Sequence, residues 1–282
     1  DLDPGISNNF LSTIDISTYD EQTGGNGSTV AGSTSSYQAV TDGFVFKDGV
    51  NEVIEFDVGG GNLTADLIDD GGLTESTIYT GDQVATAIKT ALESKDGVGN
   101  TYNVTYDSTT NKFTIENDAS SATLINIHWT ATATTAESVL GFSEDDSITV
   151  NSSATSDSSV AFNIVTGIND TFNIIVDGNP ESNGTPINVT IEAGAYTGSG
   201  LATAIQTAIN TALSNAGEEV TAKVTYNETT KKFIISSNTL GESGTVKLGD
   251  PGNKIFDLIK INDFTENSGM GFKVSDPDTT SN

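Results

Sequence analysis

The sequence predicts an α+β fold of two tandem β-rich modules, each a small sheet with one amphipathic helix packed on one face. Three observations predict it. The first is an internal repeat: YTGDQVATAIKTALESKDGVGNTYNVTYDSTTNKFTIEN (79–117) returns as YTGSGLATAIQTAINTALSNAGEEVTAKVTYNETTKKFIISSN (196–238). The second is an apolar stripe at helical spacing, Val84, Ile88, Ala91 and Leu92 in one copy and Leu201, Ile205, Ala208 and Ile209 in the other. The third is alternation: Val104-Thr-Tyr106 and Phe113-Thr-Ile115 flank one polar turn, and Val224-Thr-Tyr226 and Phe233-Ile-Ile235 flank another, as half-buried hairpins require. One amphipathic helix per unit covers one side of a sheet. A period of about 100 residues means two globular modules, because solenoid repeats run roughly 20–50.

Taken in order, residues 1–43 hold a short alternating strand (Leu11, Ile14, Ile16) and a Gly/Ser/Thr tract, Glu21–Ser36, that reads as a linker. Module one is 44–142. Its opening FVFKDGVNEVIEFDV (44–58) aligns with FNIVTGINDTFNIIV (162–176), pairing Phe44 with Phe162, Gly49 with Gly167 and Asn51 with Asn169. Two strands meeting at Gly-(Val/Ile)-Asn-(Glu/Asp) read as a hairpin closed by a tight turn. A third strand follows a variable loop, at Leu63–Ile68 and again at Ile187–Ile191. The helices are expected near 82–95 and 199–214, the first opened by a capping box of Thr80 and Gln83. Each copy closes with a short strand and a helical turn, at Thr123–His128 with 136–142, and at Val246-Lys-Leu248 with 255–261. Residues 143–161, rich in Ser, Asp and Glu, read as a linker. Module two is 162–260, and 261–282 is a C-terminal segment ending in a polar tail.

Composition narrows the function. The net charge is −28, and the 11 basic residues are all lysine. Phosphate contacts need clustered Lys and Arg, so nucleic acid is not an expected partner; an anionic membrane surface is disfavoured for the same reason. With 35% hydrophobic residues and no cysteine, the balance suits a loop-rich bacterial surface protein without disulfides. No run of apolar residues reaches the length of a membrane span. The chain opens on Asp-Leu-Asp-Pro and is expected to be part of a longer product whose export signal lies elsewhere.

The chemistry-bearing residues point away from catalysis. His128, the single histidine, stands in the strand-like run INIHWT beside Trp129 and reads as a packing residue. HExxH is missing, which sets a zinc peptidase aside. Gly59-Gly60-Gly61 lies between two strands, whereas a phosphate-cradling loop opens a helix, so it reads as a turn. Carboxylate neighbours (Asp69-Asp70, Glu144-Asp145-Asp146, Glu218-Glu219) are expected by number alone among 39 acidic residues. The loops at 177–184 and 143–147 offer oxygens for calcium without EF-hand spacing. Phe44, Phe46, Phe113, Phe162, Phe172 and Phe233 sit in expected strands and read as core. No catalytic, cofactor-binding or metal-binding residue is assigned, and no cofactor is expected.

Four segments carry a family resemblance: GINDTFNIIVDG (167–178), YTGSGLATAIQTAI (196–209), VTYNETTKKFIISSN (224–238) and AESVLGF (136–142). The pattern N-D-x-F-x-I-x-V-D-G, then Y-T-x-x-x-L-A-x-A-I, then a V-x-Y…F-x-I hairpin resembles the flagellin/hook inward motif. That motif belongs to the outer, variable regions of bacterial flagellar axial proteins: flagellins, hook-associated proteins and the filament cap. Copy one departs from it at Asn51-Glu52-Val53 and in the loop Asp69–Ser76, and neither end carries the family's long filament-forming helices. The resemblance implies a surface-exposed, non-catalytic insert of a hook-associated junction protein, extracellular and part of the motility apparatus. Its alternatives are a flagellin or filament-cap outer domain, or an adhesin module binding glycan or host surface. The implied partners are other axial subunits, met through terminal regions this chain lacks, with the isolated domain a monomer.

Overall fold

A computed structural model of the chain describes residues 33–36, 38–118, 124–178, 186–239, 244–249, 252 and 254–261. The expected strand at Leu11, Ile14 and Ile16, most of the 21–36 tract, most of the 177–184 loop and the 262–282 segment lie outside them.

A short leading strand, β1 (Ser33–Ser35), precedes copy one, which runs β2 (Phe44–Val45), β3 (Val53–Asp57), β4 (Asn62–Asp66), β5 (Ile78–Tyr79), α1 (Gly81–Asp96), β6 (Tyr102–Asp107), β7 (Lys112–Asn117), β8 (Ile125–Ile127) and α2 (Glu137–Leu140). Two further strands follow, β9 (Asp146–Ile148) and β10 (Ser153–Thr155). Copy two repeats the order as β11 (Phe162–Ile164), β12 (Thr171–Val176), β13 (Ile187–Thr190), β14 (Gly194–Tyr196), α3 (Gly198–Asn215), β15 (Ala222–Asn227), β16 (Lys232–Ser237), β17 (Val246–Gly249) and α4 (Ile255–Ile259). The mixture of small antiparallel sheets and helices is an α+β fold.

Strand order is the same in both copies. β4-β3-β8 matches β13-β12-β17, β2-β5 matches β11-β14, and the hairpin β6-β7 matches β15-β16. Each long helix packs against its third strand and its hairpin, α1 on β4 and β6, α3 on β13 and β15. The helix start is locally determined. Thr80 accepts from the Gln83 N–H, and the Gln83 side chain accepts in return from the Thr80 N–H at 2.9 Å, closing the expected capping box. Thr197 caps α3 through the Gly200 N–H at 3.1 Å. The apolar stripes fall as expected: Ile88 and Ile205 are buried, and so are all six phenylalanines read as core.

Two departures from the sequence reading have clear physical causes. The first concerns 44–58 and 162–176, where the expected hairpins do not form. β2 pairs with β5 and β11 with β14, while β3 and β12 run in other sheets. The asparagine side chains take the place of ladder partners. Asn51 accepts from the Lys47 N–H at 2.9 Å and donates to the Val45 carbonyl at 3.0 Å. Asn169 repeats this on Val165 (2.7 Å) and Asn163 (2.9 Å). The following acid caps the bend: the Glu52 carboxylate accepts from the N–H groups of Gly49, Val50 and Asn51, and Asp170 from that of Gly167. Gly49 (φ +70°) and Gly167 (φ +80°) supply the left-handed turn. The segment is an amide-clamped bend that redirects the chain between sheets.

The second concerns 143–161, expected as a linker. β9 extends the β3-β8 sheet beside β8, and β10 pairs with β7. Ile148, Ala154 and Val160 are buried in the copy-one core, and that apolar burial holds the segment in place.

Candidate functional site

The residues nominated for chemistry are dispersed. His128 is half-buried just after β8, its N–H donating to the Glu55 carbonyl at 2.8 Å, and its Nδ1 lies 3.7 Å from Asp145. Trp129 stacks on Phe142 with centroids 4.1 Å apart and donates from Nε1 to Asp146 at 3.0 Å. Burial pushes the Asp146 carboxyl above its ordinary value. Asp145 caps Thr130 through both its N–H and its hydroxyl. Asp70 meets Lys95 at 3.0 Å. Asp57 accepts from the N–H groups of Gly59, Gly60 and Gly61, so the triple glycine is a carboxylate-capped turn between β3 and β4. Among the described residues no group of three or more His, Cys, Asp or Glu side chains gathers as a metal site.

What the fold does assemble is a junction between the copies. β2 and β11 lie side by side, joined by a parallel bridge from Gly43 to Phe162. Asn163 accepts from the Val45 N–H and donates to the Val45 carbonyl, both at 2.7 Å. Lys47 donates across the junction to the Thr166 carbonyl at 3.1 Å. Val45, Val165 and Ile168 form a small apolar cluster beneath these bonds.

Around the junction the copies exchange strands. β1, which leads into copy one, pairs with β16 of copy two; β10, which leads into copy two, pairs with β7 of copy one. The two leaders, 33–40 and 153–160, are held alike. Ser36 accepts from the Phe233 N–H at 3.0 Å, and Ser156 from the Phe113 N–H at 3.1 Å. The Val40 N–H donates to the Lys231 carbonyl (2.7 Å), and that of Val160 to the Asn111 carbonyl (2.8 Å). Tyr226 donates to the Val40 carbonyl at 2.6 Å, and Tyr106 to the Val160 carbonyl at 3.0 Å. Both valines are buried, each in the core of the copy it visits.

The tyrosines are placed by packing. Phe44, Tyr106 and Phe113 form one aromatic triad, and Phe162, Tyr226 and Phe233 repeat it. Gly81 and Gly198, at the first helical position, lie so close to the Tyr106 and Tyr226 rings that a Cβ at either would overlap them. Burial pushes both phenols well above their ordinary pKa, so each stays a proton donor to its leader. Sequence reading missed the leaders. Their signal was present as Ser33, Ser36 and Val40 recurring at Ser153, Ser156 and Val160.

The hairpin tips and the α3 start enclose a cleft of about 490 Å³, lined by hydroxyls (Thr41, Thr109, Thr110, Ser159, Thr197, Ser199) and by Lys112 and Lys231. Lys231 pairs with Glu228 at 3.2 Å and stands 6.0 Å from the Tyr226 ring centroid. The arrangement offers hydrogen-bond donors and acceptors.

No protein-family model and no curated protein matches the sequence. Solved structures that are distantly similar include two of known identity. The mavirus penton protein is 12% identical, with 80% of this chain and 78% of that one covered at a TM-score of 0.35. The flagellar cap protein FliD from Helicobacter pylori is 13% identical, with 87% of this chain and 63% of that one covered at a TM-score of 0.25. Superpositions this loose carry no functional argument.

Proposed function

We propose that this chain is a non-catalytic, outward-projecting module of a bacterial flagellar axial protein, most closely a hook-associated junction protein, displayed on the outside of the assembly. The observation that supports the reading is the repeat. The N-D-x-F-x-I-x-V-D-G, Y-T-x-x-x-L-A-x-A-I and V-x-Y…F-x-I elements fall on β12, α3 and β15–β16, and their counterparts on β3, α1 and β6–β7. A charge of −28 suits dense display, where neighbours repel. In dilute solution the leaders are satisfied within one chain, so the module is a monomer. Deleting 33–261 from the parent protein tests the reading: the filament or junction should still assemble. A strain that builds none would overturn it, as would a parent protein with a cell-wall anchor in place of long terminal helices.

The hydroxyl-lined cleft favours one second reading, a module that binds glycan. Glycan-array binding lost on Lys231→Glu would support it.

A further inference from the structure

We propose that the β16 edge of copy two is a strand-acceptor site, and that its alternative occupant is the 33–40 leader of a second copy of this chain. The proposal does not rest on the flagellar reading. It rests on one recognition pattern read twice in the structure. Each acceptor takes a strand antiparallel to the hairpin's second strand, a serine hydroxyl under a phenylalanine N–H, and four residues later a buried valine whose N–H and C=O are both held. Copy one reads this pattern from 153–160 and copy two from 33–40, segments far apart in the chain. Recognition therefore depends on the strand presented and not on which residues lie next to it in sequence.

Three further features fit exchange at β16. The 33–40 leader already leaves copy one to reach copy two, and among the described residues it is tied to copy one through 41–43. The leader STSSYQAV carries no charge, and the acceptor hairpin 222–237 carries Lys223, Lys231 and Lys232 against Glu228 alone. In a chain of net charge −28 this hairpin is a basic surface, so a second acidic chain can approach it. The copy-one hairpin, with Asp107 and Glu116 against Lys112, lacks that property. Releasing one short strand is a local opening that costs far less than unfolding the chain. Exchange of an identical element between protomers is a low-cost route to association.

The absence of cysteine makes the test clean. Ser33 faces Ser236 in the β1–β16 register. A Ser33→Cys chain and a Ser236→Cys chain are mixed at high concentration under oxidising conditions, and the expected product is a disulfide-linked heterodimer. The double variant Ser33→Cys/Ser236→Cys should instead close an internal disulfide. Excess synthetic peptide of residues 33–42 should abolish the heterodimer by occupying the acceptor, and the same peptide with Val40→Asp should not. If the double variant closes its internal bond while the mixed chains give no heterodimer, the proposal fails. It also fails if the heterodimer survives the peptide, or if Thr203→Cys on the exposed face of α3 replaces Ser33→Cys with equal yield, since chance collision then explains the bond.

Discussion

The side-chain amide of Asn163 holds both backbone polar groups of Val45, the residue with which it aligns in the other copy. Equivalent positions thus meet at the junction, and one of them completes the hydrogen bonding of the other. The Val45 carbonyl also accepts from Asn51, but its N–H has Asn163 as partner. Asn163→Ala leaves that buried donor unsatisfied, at an expected cost of about 1–3 kcal/mol in a denaturant titration. Because the bond crosses the junction, wild-type chain should melt in one calorimetric transition; two resolved transitions would show the copies to be independent.

Ile88 and Ile205 sit at matching places on the buried faces of α1 and α3, both almost fully enclosed. Truncating either to Ala should cost about 2–5 kcal/mol, the range for deleting a buried aliphatic side chain. A chemical melt of each variant checks it, and similar losses at the two positions would reflect the matched packing.

Gly198→Ala runs against local preference, since Ala is the better helix former. The added methyl overlaps the Tyr226 ring, so the variant should lose about 1–3 kcal/mol to overpacking, read as a lower melting temperature. Gly81→Ala should behave likewise against Tyr106.

Ser36 and Ser156 bind their hairpins alike, but Ser36 also donates to the Ile259 carbonyl at 2.6 Å, where Ser156 reaches only Ser158 at 3.3 Å. Ser36→Ala should therefore destabilise more than Ser156→Ala, each by about 1–3 kcal/mol. Equal losses would mean that the contact with α4 contributes nothing.

Asp96 closes the C-terminal end of α1. Burial raises its pKa, but bonds from the Val98 N–H, the Tyr102 hydroxyl and Asn100 outweigh this, and the carboxyl is held below its ordinary 3.8. A carboxylate depressed on folding stabilises the protein above its unfolded pKa and loses that contribution as pH falls through the folded value. Asp96→Asn should therefore be less stable than wild type at neutral pH, and the gap should narrow in acid below pH 3.8. Melting curves across the acid range read it directly; a gap independent of pH would assign the loss to packing.

The helices and the second hairpins were legible because their signals are local. A stripe at i, i+4, i+7 and i+8 and a capping box do not depend on the rest of the chain. The 44–58 segment was misread because Asn51 and Glu52 look like turn residues in sequence, while their side chains act as surrogate strand partners. The 143–161 segment was read as polar linker because Ile148, Ala154 and Val160 are spaced by hydroxyls and acids. Its pairing is set by partners 19–23 residues earlier on β8 and 37–41 residues earlier on β7, beyond any local pattern. The junction was out of reach for the same reason, since aligned copies in sequence do not reveal which strands they trade.

The bond from Ser36 to Ile259 spans 223 residues of chain. On a ribosome, β16 is made long after the leader has emerged, and α4 later still, so β1 waits for the last helix among the described residues. Copy one faces no such delay once 153–160 has appeared. Synthesis thus leaves copy one complete while β1, the third strand of the copy-two hairpin sheet, still has no hairpin to join. Contacts this distant slow the final closure and lengthen the time an uncovered strand edge is exposed. The ordering of birth along the chain gives two halves of the same strand order different folding histories.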